Sequence, residues 1–260
     1  MRLALPILAS ILPVLCLAQE KNYTADQLMG AVKAAKPAGG LYARLRMEHK
    51  GSDGNQTVLQ VQLKRRQTSA GTETLYQLLF PKERKGEALL LRVTKGGSFS
   101  GAAFIPGQGR RALRPADRGA GVFGTTLTIE DAIAEFLDWK HKLGGKEKVG
   151  PVSCTIIESL APPSSASGFS RAKSWIDESR LTAMKAEFFK SGAQPARTVT
   201  THKVMRGSTG YYAPVSFTVT DHTTGASTRV EGVRSDHDIR YTDADFSDAA
   251  LEAITTPSGK

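Results

Sequence analysis

The sequence predicts a mainly β fold of the α+β kind: one strongly curved antiparallel sheet of about eleven strands, with two or three helices covering its concave face. Three observations carry this. Apolar and polar residues alternate in short runs between residues 41 and 105, and again between 152 and 234, the period-two signature of half-buried strands. Turn-forming stretches such as "GSDGNQ", "APPSSASG" and "DHTTGA" separate the runs, at the short spacing of hairpins. Between the two series lies a segment whose apolar residues follow a helical period instead. A chain of 260 residues fits one large β domain, and sequential half-apolar strands favour an antiparallel sheet over a parallel α/β arrangement.

The chain opens with a short positive region, Met1-Arg2, an apolar stretch from Leu3 to Leu15, and the small residue Ala18. This is the layout of an exported leader. Residues 1–18 are expected to be a cleaved signal peptide, and 19–260 a single domain in the periplasm. No later window approaches the roughly 18 to 20 uncharged residues that a spanning helix needs. Leu15 stands where a lipid-anchor signal wants a small residue, which argues against lipidation of Cys16. Cleavage leaves Cys154 alone, and its alternating run, 152–156, reads it as a small buried side chain. The 35 Lys and Arg outnumber the 25 Asp and Glu, for a net charge of +10. Such an excess favours anionic partners, lipid headgroups or an acidic protein face. Nucleic acid is disfavoured, because aromatic and basic residues are not interleaved as single-strand binders require.

Along the mature chain, Thr24-Ala25-Asp26-Gln27 reads as a capping box. Leu28, Met29, Val32 and Ala35 form the apolar stripe of a helix that Lys36-Pro37-Ala38-Gly39-Gly40 stops. Strands follow at about 41–48, 59–64, 74–80, 87–93 and 98–105. The basic run Lys64-Arg65-Arg66 falls at a strand end and reads as a solvated hairpin tip. A helix then starts at Thr128, with Ile129, Ala132, Ile133, Phe136 and Leu137 on one face and acidic residues at its positive dipole end. Lys140 and Lys142 suit its negative end, and Gly144-Gly145 closes it. So wide an apolar face has to cover something apolar, and the concave side of the sheet is the available surface. Six further strands run from 152 to 234. Ser247 or Asp248 then caps a last short helix.

Catalytic signatures are missing from the sequence: there is no G-x-S-x-G elbow, H-E-x-x-H, phosphate loop or C-x-x-C. The glycines at 107 and 109 imitate a dinucleotide fingerprint, but Pro115 blocks the helix that should follow. No cofactor or metal is expected, no catalytic residue is nominated, and the aspartates at 236, 238, 243, 245 and 248 read as turn and cap residues. A hydrolase acting on an envelope polymer would need two converging carboxylates or a Ser-His pair, and neither is legible.

One stretch carries more information. Phe104-Ile105-Pro106 ends a strand, Arg110 and Arg111 follow, and Gly124, Thr128, Glu130 and Asp131 mark the entry to the helix. This order resembles the LolA-like outer-membrane lipoprotein-sorting proteins, particularly their larger branch. Thr125, Thr126 and Ile129 depart from the family pattern at the helix entry. The resemblance implies an unclosed β-barrel plugged by helices, with an apolar cavity that receives acyl chains of lipoproteins or lipids, and transfer partners at the inner and outer membranes. The cavity lining it suggests comprises Leu45, Met47, Leu59, Val61, Leu63, Leu78, Phe80, Leu90, Phe104, Ile133, Phe136 and Leu137, with Trp175, Phe188, Val215 and Phe217 from later strands. Arg110, Arg111, Arg114 and Arg118 would face headgroups or a partner, and the glycines among them would make a hinge for the lid. The alternative is an envelope sensor or structural module that binds a protein partner with a filled interior. Intact-mass measurement of exported protein tests the leader: the expected N-terminus is Gln19, and retention of residues 1–18 in the exported form would refute it.

Overall fold

The computed structural model describes residues 23–35, 39–208 and 210–256. The leader, Cys16 and the proposed helix stop at 36–38 lie outside them. Helix α1 (Ala25–Ala34) starts as the sequence predicts. The Thr24 hydroxyl accepts from the Gln27 N–H at 3.2 Å, and the Gln27 side chain accepts from the Thr24 N–H at 2.9 Å.

The first strand series comprises β1 (Gly40–Lys50), β2 (Gln56–Gln67), β3 (Gly71–Phe80), β4 (Ala88–Thr94), β5 (Phe99–Ile105) and β6 (Gly109–Ala112). The second comprises β7 (Lys140–Val149), β8 (Val152–Leu160), β9 (Arg171–Asp177), β10 (Thr182–Phe189), β11 (Arg197–Arg206), β12 (Tyr212–Asp221) and β13 (Ser227–Ile239). All thirteen belong to one sheet, in the order β6-β5-β4-β3-β2-β1-β13-β12-β11-β10-β9-β8-β7. Within each series every strand pairs antiparallel with its sequence neighbour, and β1 with β13 joins the two meanders. The strands at the ends of this order, β6 and β7, do not pair, so the barrel is open. The chain therefore finishes its first meander at one edge and begins its second at the other. Among the described residues no helix is long and apolar enough to cross a membrane.

Two of the thirteen strands differ from the sequence expectation. Residues 109–112, expected to be loose chain, form β6 against β5, with Ile105 opposite Gly109 and Phe104 opposite Arg110. The central helix is shorter than expected. Helix α2 covers only Ile129–Ile133, Ala134 turns left-handed at φ 51°, and a 3-10 helix follows at Glu135–Asp138. Residues 140–149 are strand, paired with β8 from Lys140 opposite Leu160 to Val149 opposite Val152. Gly144-Gly145 stops no helix; it marks a β-bulge, where the register shifts between Leu143 and Lys146. A Cβ on Gly144 would meet Ile156 at 2.8 Å, and Gly145 has φ +93°. Glycine inside a strand marks such places, and pairing with a neighbour overrides the weak helical preference of lysines.

Side chains alternate between two covered faces. One carries Met47, Leu59, Val61, Leu78, Leu89, Leu91 and Val230 beneath Val122, Ile129 and Ile133. The other carries Leu75, Ala88, Leu90 and Ala102 beneath Phe246, Ala250 and Leu251. The second cover is helix α3 (Asp248–Glu252), and the Ser247 hydroxyl caps it by accepting from the Ala250 N–H at 3.3 Å. Its last carbonyls are met from the sheet: the Gln77 amide donates to Ala250 O at 2.9 Å and Ala253 O at 3.0 Å. Lys64 is not at a solvated tip; it is 1% exposed and donates to the Thr255 hydroxyl at 2.7 Å, with Asp245 at 3.6 Å. The clustered aspartates cap and pair: Asp245 accepts from Thr242, Asp243 meets Arg66, and Asp236 meets Arg234. Leu251 is fully buried, so Leu251→Ala should cost about 2–5 kcal/mol in urea unfolding. A loss below about 1 kcal/mol would show that α3 is not a fixed cover.

Candidate functional site

The site is the lid face of the sheet and the segment that crosses it, residues 113–139. This segment begins with a 3-10 helix at Pro115–Gly119. Asp117 organises its entry: one carboxylate oxygen accepts from the Arg114 N–H and from the Arg111 guanidinium, both at 2.7 Å. The Arg111 hydrogen bond, followed by that from Arg114, holds the Asp117 carboxyl below the usual carboxylate range. A tight reversal comes next. Phe123 is left-handed at φ 53° and Gly124 at φ 80°, and the Val122 N–H donates to Leu127 O at 2.7 Å. Gly121 is required there, because a Cβ would sit 2.0 Å from the Thr125 carbonyl oxygen.

The reversal presses Thr126 onto the sheet. Its N–H donates to the Thr228 hydroxyl at 3.0 Å and its own hydroxyl donates to Val219 O at 3.0 Å. Thr228 in turn lies 2.9 Å from His49 Nδ1. Helix α2 then opens with Asp131 reaching back to the Thr128 N–H at 2.7 Å. Two ionic groups fasten the segment. Arg118, 7% exposed, meets Glu130 at 2.7 Å and also Glu135. Arg197 of β11, 5% exposed, binds both Asp131 and the carbonyl of Thr126. Burial pushes the Asp131 carboxyl up, against the pull of Arg197 and the Thr128 hydrogen bonds. The 161–168 loop closes over the acidic pair: Ser167 donates to Glu130 and Ser165 to Glu135, each at 2.6 Å.

The structure brings together part of the expected lining. Met47, Leu59, Val61, Leu78 and Ile133 share one buried cluster, with Leu45, Leu63 and Phe217 half-buried around it. Phe136 and Phe188 meet edge-on, their centroids 5.1 Å apart, and Leu137 packs with Phe136 towards α1. Others are corrected. Leu90 and Phe104 lie on the opposite face, under α3. Trp175 also points away from the lid, stacked between Lys173 and Lys185 at 4.7 and 4.5 Å. Phe80 is 46% exposed at a strand end, and Val215 is half-buried outside these clusters. Sequence reasoning missed Tyr76, Leu89, Leu91, Val122 and Val230, which complete the lid-face cluster. Counting back two from Leu78 finds Tyr76.

The arginines are corrected as well. Arg118 is an internal strut and does not face a partner. Arg111 is tied to Asp117 and Arg110 to Asp248, while Arg114 stays largely exposed. Cys154 is buried and unpaired, and burial pushes its thiol up. The lid's apolar side chains pack against the sheet below it. A hollow of about 10 Å³ lies at its far end, lined by Glu130, Asp131, Glu135, Phe136, Trp139, Ser167, Phe169 and Phe188, which is room for a water at most. A second cleft, of about 420 Å³, is polar and lies at the β7–β8 and β9–β10 turns beside Lys146, Cys154, Glu178 and Arg180.

An open antiparallel sheet crossed on one face by an irregular lid defines the LolA-like fold. Three solved structures share it. A domain from Vibrio parahaemolyticus, described as that of an outer membrane lipoprotein-sorting protein, superposes with a TM-score of 0.79 at 18% identity, covering 88% of this chain and 98% of its own. A DUF1329 family protein from Desulfovibrio piger gives 0.80 at 16%, covering 87% and 97%. A LolA superfamily protein from Nitrosomonas europaea gives 0.63 at 14%, covering 87% and 98%. The resemblance carried by residues 104–131 is thus borne out in the fold. A family model described as that of an uncharacterized protein matches residues 70–253, and the chain belongs to that family. No curated protein matches the chain.

Removing the Arg118 side chain would leave Glu130 and Glu135 buried without a cation. Arg118→Ala should therefore cost about 3–5 kcal/mol in urea unfolding and speed proteolysis within residues 115–138. Arg118→Lys, which keeps the charge, should recover most of the loss. Equal losses in the two variants would show that the charge does not fasten the lid.

Proposed function

We propose that this chain is an exported, non-catalytic carrier that takes the acyl chains of a lipoprotein or another amphiphile between the sheet and the lid and sorts them towards the outer membrane. In this reading residues 1–18 are its leader, 19–260 its carrier domain, and membrane-bound donors and acceptors its transfer partners. The observation that carries the reading is the composition of the lid contact. An extensive apolar sheet face is covered by an irregular segment whose own apolar side chains, Val122, Ile129 and Ile133 with Leu113, Phe123, Leu127 and Ala132 half-buried beside them, are the kind of contact an acyl chain could replace.

The energies on the two sides are of similar size. Returning Val122, Ile129 and Ile133 to water costs roughly 1.5–3 kcal/mol each, and the half-buried apolar side chains beside them add to that. An acyl chain of about sixteen carbons that takes their place gains roughly 12 kcal/mol, at ~0.8 kcal/mol per buried methylene. Arg118 keeps its pairing with Glu130 and Glu135 inside the lid; what lifting parts is Arg197 from Asp131 and Thr126 from Thr228 and Val219, and the separated groups recover hydration. In this reading the cargo displaces the lid from the sheet face.

The close packing of the lid on the sheet also favours a second reading, a module of the envelope that binds a protein partner and never opens. Native mass spectrometry of protein purified from membrane-containing cells separates the two. A carrier should arrive with one co-purified lipid or acylated peptide per chain, or take up added palmitate after delipidation. Protein that arrives empty and takes up none would overturn the carrier reading and leave the partner-binding one.

A further inference from the structure

Arg65 continues the lid-face row Leu59, Val61 and Leu63 along β2, opposite Leu41 on β1 and Thr74 on β3. Its side chain is partly buried, yet it makes no hydrogen bond, ion pair or ring contact with any described residue. The ionisable group that acts on it is the phenol of Tyr76, which stands opposite Leu63, a diagonal neighbour within reach of long side chains. Tyr76 is 7% exposed, and its hydroxyl also lacks a hydrogen-bond partner among the described residues. Burial lowers the guanidinium from its ordinary value. Burial also raises the phenol to about 12, with Arg65 pulling it down and Asp131 pushing it up. Both groups therefore remain hydrogen donors at neutral pH.

The contrast with the other lid-face cations is informative. Arg118 and Arg197 are buried and each is matched to carboxylates. A partly buried guanidinium without a counter-charge is costly to keep, and its planar fork fits a carboxylate or phosphate with two parallel hydrogen bonds. We propose that Arg65 and Tyr76 receive the anionic end of an amphiphile, a carboxylate or a phosphate, whose acyl chain lies along the neighbouring Leu63–Val61–Leu59 row. This rests on the carrier reading and narrows it: the cargo is anionic at the junction of head and tail.

The test uses delipidated mature protein and four single-chain probes: palmitate, palmitoyl lysophosphatidic acid, hexadecanol and monopalmitoylglycerol, with affinities measured by calorimetry. The wild type should bind the anionic probes at least about tenfold more tightly than the neutral ones, and the tighter of palmitate and the lysophosphatidic acid identifies the headgroup. Arg65→Gln should bring the anionic-to-neutral ratio to about one, Arg65→Lys should keep several-fold of it, and Tyr76→Phe should reduce it by a few-fold. If Arg65→Gln does not fold, as judged by thermal melting, the lysine and phenylalanine variants decide. Equal binding of anionic and neutral probes by the wild type, or a ratio unmoved by the substitutions, would overturn the proposal while the carrier reading stands. Failure of all four probes to bind would overturn both.

Discussion

The constraint on which the molecule depends is topological. Strand β6 closes the first meander at one edge of the open sheet, and β7 opens the second at the other. The chain has to cross a face to connect them. A crossing of this kind cannot hydrogen-bond to the interior strands, whose backbone groups are already paired, so it has to satisfy its own polar groups by capping, tight turns and side chains. This accounts for the short 3-10 pieces, the left-handed Phe123 and Ala134, and the reach of Asp117 and Asp131 back to backbone N–H groups. The lid is the form that the connection takes.

The two faces of the sheet are covered in different ways. Under α3 neutral amides lie at the centre, where Gln62 donates to Gln77 at 2.8 Å and Gln77 donates onward to helix carbonyls, with Lys64, Arg66 and Arg92 bonded around them. Such bonds involve groups that are costly to leave unmade in a buried place. Over the lid face a broad apolar contact is bordered by charged pairs. Burying charges carries a desolvation penalty that nearly cancels their attraction, so these pairs fix where the lid sits more than how strongly it is held.

Legibility in the sequence followed the same division. The strands of both meanders were readable because half-buried pairing imposes period two, and the α1 capping box because it is a purely local device. Leu90 was placed on the wrong face because Leu89, Leu90 and Leu91 are all buried: β4 is covered on both sides, and alternation then carries no phase. The sequence places the end of the lid helix at Gly144-Gly145 because Lys140 and Lys142 suit a helix C-terminus locally, while the pairing of β7 with β8 is a long-range fact. Glu130 and Asp131 were noticed as acids at a helix entry, but their partners, Arg118 and Arg197, are 12 and 66 residues distant. Arg65 stood in plain view as one of three consecutive basic residues. Only the register shows that its neighbours Lys64 and Arg66 point to the other face.

That register also changes the meaning of the positive charge. An open barrel has two raw edges, each with a row of unpaired backbone groups able to recruit another strand. Here β6 is four residues long, fully exposed, and carries Arg110 and Arg111. Strand β7 carries Lys140, Lys142, Lys146 and Lys148 and is broken by a bulge. Short length, lysine and bulges are the devices that keep edges from pairing with copies of themselves. A substantial part of the basic excess thus sits where an unclosed sheet needs protection, and Arg110 and Arg111 serve the fold whether or not a membrane or partner approaches them. On the lid face Arg65 is a cation that no carboxylate among the described residues neutralises, and edge protection gives no account of it.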